Sequence, residues 1–370
     1  MINSIPSRLV YSDENLIKHG QAWPDVPLIL IDGLLAFEAS EWVLDLKIRG
    51  CSKHTLVSYA TSVLMWLRAM AVNELDWRSA GNLTAERFMA VLAREGASCN
   101  TIRLRMVHIQ EFYRWAFNAQ KILAIPFHIQ GGRRSLAHAQ LGAKVKLPGK
   151  TSRRVKPHNK ETFDKVLAQT QRKAPALILR DELIAEAGRY MGLRRSEISE
   201  LRVDQFATLD PNDDLHVIEI ISAKSGRTDS VLVPRLYVKK VQDYISIHRA
   251  IMISRLKKYD EAYHAPANIF LNERGKFRGQ AITPRFISET WKRSANEAGV
   301  DSRFHDNRSS FATNAAKAAR EQNENARAVV KELLRHKSES TGDIYVAFDE
   351  IQSTLLARAR IVNDGYDAKE

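Results

Sequence analysis

Apolar residues recur every three or four positions along most of this chain, the pattern of helices that bury one face. Leu35, Ala39, Trp42 and Leu46 form a first stripe ending at Gly50, and Tyr59, Val63, Trp66 and Met70 form a second, opened by Ser52-Lys53-His54-Thr55. Thr84 is placed to cap a third helix carrying Phe88, Val91 and Leu92, and Asn100 or Thr101 to start a fourth with Ile102, Met106, Ile109 and Tyr113. Four such helices predict a small bundle. The period returns after residue 159, where Asn159 caps a helix with Phe163, Val166 and Leu167. Further helices are predicted over 177–191 (closed by Gly192), 236–256 and 282–299. The region from His305 follows, and then an apolar stripe of Val329, Val330, Leu333 and Leu334. Two β-type runs, 216–221 and 230–233, flank a turn-rich stretch and predict a hairpin with Lys224 near its tip. Residues 268–271 read as a short extended segment. The expected fold class is mainly α with a small antiparallel β component.

Composition changes this picture little, but the distribution of charge changes it a good deal. The 370 residues are 44% hydrophobic and 27% charged, ordinary for a globular chain of two domains. Lys and Arg exceed Asp and Glu by 13 overall. Residues 1–130 hold 13 basic against 12 acidic side chains, residues 161–370 hold 34 against 31, and residues 131–160 hold nine with no acid. A basic stripe between two near-neutral units is what a polyanion attracts. The expected organisation is an extension (1–34), a helical unit (35–128), a basic linker (129–160), a second unit (161–350) and a tail helix (351–370) on which Ile351, Leu355 and Ala359 share a face. Cys51 and Cys99 lie far apart without metal spacing, no charged-then-apolar leader opens the chain, and the apolar run 26–35 is interrupted by Pro27, Asp32 and Gly33. The chain therefore reads as cytoplasmic and reduced, with neither membrane span nor disulfide.

The candidate chemistry collects in 192–201 and 305–345. Arg194 stands at a break between two helices in Gly192-Leu193-Arg194-Arg195-Ser196-Glu197. His305 and Arg308 are three apart and so share a helix face, able to converge on one anion. His336 follows Leu333-Leu334-Arg335, and Tyr345 comes nine residues later. Singly, these are the ordinary contents of solvated helix faces and caps, and a hairpin lysine is usually surface decoration. Their order is far more specific. Arg194-x-Ser196-Glu197, then His305-x-x-Arg308 with Phe311-Ala312-Thr313, then His336, Thr341 and Tyr345, resembles the catalytic half of the tyrosine recombinases, the phage integrase family. Asn307, Ser309 and Arg335 depart from that family's Leu, His and Gly, and the span from Arg308 to His336 is longer than in compact members. Residues 52–59 and 100–103 resemble the SAM-like core-binding domain that precedes the catalytic domain. The resemblance implies that Lys53, His54, Arg103 and Arg105 face phosphates, contacts that position without reading sequence. In the basic linker, Arg133, Arg134, Arg153 and Arg154 are the residues expected along the duplex.

The inventory itself suggests phosphate-ester chemistry without a metal. No carboxylate cluster is spaced to hold magnesium and no glycine-rich phosphate loop occurs, so no cofactor is expected. Two guanidinium groups, Arg194 and Arg308, can take the non-bridging oxygens of a phosphodiester as its negative charge grows. A tyrosine of pKa about 10 needs a proton acceptor to attack at neutral pH. His305 fits that role, His336 that of a phosphate hydrogen-bond donor, and Lys224 that of the acid that protonates the leaving oxygen. The resemblance implies the remainder: a 3′-phosphotyrosyl bond at Tyr345, double-stranded DNA as partner, and a homotetramer exchanging strands through a Holliday junction. A type IB topoisomerase-like enzyme, using a similar residue set, and a catalytically silent DNA-binding protein of the same fold are the competing expectations.

Overall fold

The first four stripes become helices packed through their predicted faces: α1 (Phe37–Ile48), α2 (Lys53–Val72), α3 (Asn82–Arg94) and α4 (Cys99–Asn118). The structure is a computed structural model that describes residues 5–11, 23, 26–129, 141–149, 156–172, 174–213, 216–221, 228–335 and 346. It divides into two units, 1–153 and 154–370. Trp42, Leu56, Val63, Trp66, Phe88, Leu92, Met106, Ile109 and Phe112 fill the core of the first. By length and composition α2 could cross a bilayer, but its stripe of Leu56, Ala60, Val63, Trp66 and Met70 is buried in this core.

Local details differ from the expectation. Ser52 caps α2 as predicted, its side chain accepting from the Thr55 amide at 3.3 Å. The third helix starts two residues before Thr84, at Asn82, and the fourth is capped by Ser98, which accepts from the Thr101 amide. Ser98 lies one turn upstream of the first apolar contact, where a small hydroxyl reaches the orphan N–H groups. Leu35 lies outside the first stripe, 47% exposed on a short strand. The segment 1–34, expected to be an extension, forms β1 (Ser7–Tyr11) and β2 (Pro27–Ile31), antiparallel and completed by β3 (Leu34–Leu35), and Ile29 is wholly buried against the helices. The stretch 141–149, assigned to the basic linker on charge, also packs on the first unit. Strand β5 (Leu141–Val145) pairs parallel with β4 (Ile125–Ile129), Val145 is wholly buried, and Arg103 donates to the Pro148 carbonyl at 2.7 Å. Alternation of lysines with small and apolar residues here marks a half-buried strand, whereas a count of charge registers only the lysines.

In the second unit Asn159 caps α5 (Lys160–Ala168), accepting from the Thr162 amide at 2.8 Å. Next come α6 (Pro175–Tyr190), the short α7 (Arg195–Ser199) and α8 (Asp204–Ala207), and the antiparallel hairpin β6 (His216–Ile221) and β7 (Thr228–Val233). The helix predicted over 236–256 is α9 (Arg235–Asp243) and α10 (Ala250–Tyr259), joined by a π-helical turn at Tyr244–Arg249. The extended segment at 268–271 makes only isolated bridges, Arg202 with Asn268 and Leu271 with Ala281. Helices α11 (Pro284–Glu297), α12 (His305–Glu321) and α13 (Ala326–Leu333) follow. The fold is mainly helical, with small sheets.

His108 on α4 generates a pH test of the first unit. It is buried, stacks on Tyr59 at 4.0 Å between ring centroids, and hydrogen-bonds Ser62 Oγ through Nδ1 at 2.9 Å. Burial pushes its imidazole down to about 4, from 6.5. Between those values the unfolded chain holds a proton that the folded chain does not, so stability is full above about pH 6.5 and declines as pH falls below it. Urea midpoints of residues 1–153 within the whole chain, followed by Trp fluorescence at pH 7 and pH 5, should show this decline, and His108→Gln should flatten it.

Candidate active site

The site begins where α6 stops. Gly192 takes φ 61, in the left-handed region, and turns the chain into α7. A Cβ there would lie 2.5 Å from the Phe311 ring and 3.1 Å from the Leu334 side chain, so both the backbone angle and the space require glycine. Leu193 and Ile198, wholly buried on either side, fix the turn in the core. Arg194 is the N-cap residue, and Glu197, three residues on, reaches back to accept from the Arg194 amide at 2.8 Å, as an acidic third residue commonly does at a helix start. The other Glu197 oxygen accepts from Arg194 Nη1 at 2.6 Å.

Two more guanidinium groups close on the same carboxylate. Arg308, in the first turn of α12, is 2% exposed. It donates from Nη1 to the Gly192 carbonyl and from Nη2 to the Leu334 carbonyl at 2.7 Å, with Nη1 3.9 Å from Glu197 Oε2. Arg335, just past the end of α13, donates from Nη2 to Glu197 Oε2 at 2.9 Å. Burial by itself would push the Glu197 carboxyl up. The Arg335 guanidinium, the Arg194 amide, and the Arg308 and Arg194 guanidiniums outweigh burial and hold it below the ordinary carboxylate value. Three guanidiniums thus surround one carboxylate among the described residues. Arg194 is the most open of them, its side chain 32% exposed. Glu197 also borders a cleft of about 680 Å³ lined by Gln205, Ile218, Ile220 and Thr228, so the hairpin strands form its other wall. Among the described residues no group of three or more His, Cys, Asp or Glu side chains could hold a metal ion.

The phage integrase family model matches residues 159–350, and the N-terminal SAM-like domain of phage integrases matches residues 39–120. The chain belongs to the phage integrase family. It is a site-specific DNA recombinase, an enzyme that transfers DNA strands. Tyrosine recombinase XerC of Alcanivorax borkumensis is 23% identical over 304 residues, covering 81% of this chain and 85% of the relative. Tyrosine recombinase XerA of Thermococcus kodakarensis is 26% identical over 279 residues, covering 71% and 90%. Among solved structures, XerH recombinase bound to palindromic difH substrate, post-cleavage, superposes with TM-score 0.60 at 17% identity over 87% of this chain and 88% of that one. A lambda integrase tetramer bound to a Holliday junction gives 0.52 at 15% identity over 84% and 76%. These relatives do not favour the topoisomerase or silent-binder readings.

Of the expected site residues in this recombinase, Arg194, Glu197 and Arg308 come together. Arg308, expected on a face open to a ligand with His305, is sunk among backbone carbonyls, whereas His305 at the start of α12 is exposed. One helical turn passes from solvent to core between them. Lys224, His336 and Tyr345 lie outside the described residues, as do Arg133, Arg134, Arg153, Arg154 and the tail 351–370. Val346, next after Tyr345, is buried against Ala312, Ala316, Val330 and Leu334, and its carbonyl accepts from Arg320 at 3.0 Å. Lys53 and His54 are exposed at the start of α2, and Arg103 and Arg105 are half-buried on α4. Two contributors were missed in the sequence. In the sequence Arg335 stands only as a departure from glycine, although a cation at a helix-end motif is a signal in itself. His158 ties the first residues of this unit to α12: its amide donates to Ser310 Oγ at 2.7 Å, its ring contacts Ser302 Oγ at 2.7 Å, and its carbonyl accepts from Arg189 at 3.0 Å.

Because the folded Glu197 carboxyl is held below its unfolded value of about 4.3, its contribution to stability is present above that pH and is lost as pH falls through the folded value. Glu197→Gln should therefore cost about 3–5 kcal/mol at pH 7, as breaking a buried ion pair does. The difference from wild type should begin to shrink below about pH 4.3, where the unfolded carboxyl takes up a proton, and close as pH falls through the lower folded value. Chemical denaturation of both proteins across pH 3 to 7 checks both statements.

Proposed function

We propose that this recombinase cleaves and rejoins DNA with Tyr345 as nucleophile, Arg194 and Arg308 as the clamp on the scissile phosphate, His305 as base, His336 as phosphate hydrogen-bond donor and Lys224 as general acid. The observation that carries the proposal is the guanidinium cluster around Glu197, in which three guanidiniums face one carboxylate and one arginine is open to solvent. A phosphodiester carries one negative charge and gathers more on its non-bridging oxygens as it becomes pentacoordinate, so it draws more from this cluster in the transition state than in the ground state. In the cleavage step the Tyr345 oxygen bonds to phosphorus as its proton passes to His305. The bond from phosphorus to the 5′-oxygen breaks, and that oxygen takes a proton from Lys224. The product is a 3′-phosphotyrosyl ester and a free 5′-hydroxyl. Attack of a 5′-hydroxyl on the ester reverses the step on the same or another strand, with no cofactor consumed.

Further proposals rest on kinship. XerH is solved on difH DNA and lambda integrase as a tetramer on a Holliday junction. We assign this chain the same manner of working: a homotetramer on double-stranded DNA in the cytoplasm, moving or resolving a genetic element. Lys53, His54, Arg103, Arg105, Arg133, Arg134, Arg153 and Arg154 supply phosphate contacts.

A pool of nicked duplexes with a randomised core tests the chemistry and finds the site together. Wild-type protein should retain a subset of duplexes in detergent, and sequencing them gives the target. Tyr345→Phe should bind those duplexes normally and retain none, and a residual adduct would move the nucleophile elsewhere. Lys224→Ala should cleave slowly on the ordinary substrate and recover when the leaving 5′-oxygen is replaced by sulfur, which departs without a proton. No recovery would remove Lys224 from the acid's role.

A further inference from the structure

Arg335 is the member of the cluster that the family's motif does not supply. Its φ of 55 lies in the left-handed region, where the family pattern has glycine and where a side chain is disfavoured. The side chain is 5% exposed, so it is shut off from a DNA backbone, and it donates from Nη2 to Glu197 at 2.9 Å and from Nη1 to the Leu333 carbonyl at 3.3 Å. The carboxylate it holds is fully engaged. Oε1 takes Arg194 Nη1, Oε2 takes the Arg194 amide and Arg335, and Arg308 at 3.9 Å stays outside hydrogen-bond range. The turn that presents Arg335 is set by the same cluster, since Arg308 holds the Leu334 carbonyl. Asp229, on the strand leading out of the Lys224 hairpin, is the other carboxylate whose charge Arg335 senses.

We propose that Arg335 is a positioning residue of the cleavage reaction, holding the Glu197 carboxylate fixed between Arg194 and Arg308 so that the Arg194 guanidinium meets the scissile phosphate in one orientation. The inference rests on the reading above that Arg194 and Arg308 bind that phosphate. Without Arg335, one lone pair of Oε2 loses its charged donor, and the carboxylate turns toward Arg308 or takes up a proton at a higher pH. Either change loosens the bidentate grip of Glu197 on Arg194, through its backbone and its side chain.

The test uses the full chain and a nicked duplex captured by the wild-type protein, with single-turnover formation of the covalent adduct measured at saturating protein from pH 3.5 to 8. Arg335→Gly suits the left-handed backbone and removes only the side chain. It should bind the duplex as wild type does and cleave at least about tenfold more slowly, the scale of losing one charge-assisted hydrogen bond. Its acid limb should move to higher pH, because Glu197 has lost the strongest of the charges that oppose its protonation. Arg335→Lys keeps the charge without the planar fork, and should cleave slowly while its acid limb stays near that of wild type. Wild-type rates in both variants, or a loss in Arg335→Gly that is uniform across pH with the acid limb unmoved, would overturn the proposal. A wild-type protein that forms no adduct on any duplex would instead remove the underlying reading of the site.

Discussion

One carboxylate constrains the catalytic unit. Glu197 is 2% exposed, and its oxygens meet groups from three places far apart in the chain: Arg194, Arg308 and Arg335. Three guanidiniums packed this closely in a water-poor setting repel one another strongly, and a lone buried carboxylate is costly to desolvate. Each problem answers the other. The break after α6, the first turn of α12 and the end of α13 are thus held at one point, and misplacing any of them leaves a buried charge without its partner. On the reading of the site proposed above, a bound phosphate would bring further negative charge to a cluster in which three guanidiniums face one carboxylate.

The apolar shell makes that arrangement effective. Gly192 lets the Phe311 ring and Leu334 close over the turn, and its carbonyl, left exposed by the end of α6, is taken by Arg308. The same guanidinium takes the Leu334 carbonyl at the end of α13. Two helix C-terminal ends, each short of donors for its last carbonyls, are thereby satisfied by one side chain that also faces Glu197. Ala312 and Ala316 on α12 are small enough to let α13 and Val346 approach. Close packing here keeps water from Arg308 and preserves the strength of its interactions.

Helical periodicity carried most of the fold in legible form, because each stripe was long enough to fix its period and several caps stood where a hydroxyl or amide preceded it. Ser52 and Asn159 are examples. Residues 7–11 and 27–31 were illegible as strands, since each is only five residues long and neither alternates cleanly. The 141–149 stretch was misread because its lysines suggested a tether while Val145 was already part of a core. In the site, Arg194, Glu197 and Arg308 were legible through motif spacing. Their burial was not, since a three-residue offset on a helix states that two side chains share a face without saying where the protein surface crosses it. His305 and Arg308 lie on opposite sides of that crossing.

Arg335 shows why pattern reading fails where a backbone requirement and a charge requirement coincide. A glycine at this position says that the turn after α13 needs positive φ. An arginine there reads as a denial of it, yet the structure keeps the angle and adds a side chain whose charge-assisted bond to Glu197, at about 1.5–3 kcal/mol, is comparable to or larger than the roughly 1–2 kcal/mol of left-handed strain. The strain and the bond are not independent. From the left-handed turn that follows Leu334 this side chain reaches Glu197, so the backbone angle and the contact occur together. A residue that looks like a loss of the motif's glycine therefore preserves the glycine's geometry and uses it to bring a third cation to the carboxylate on which the other two depend.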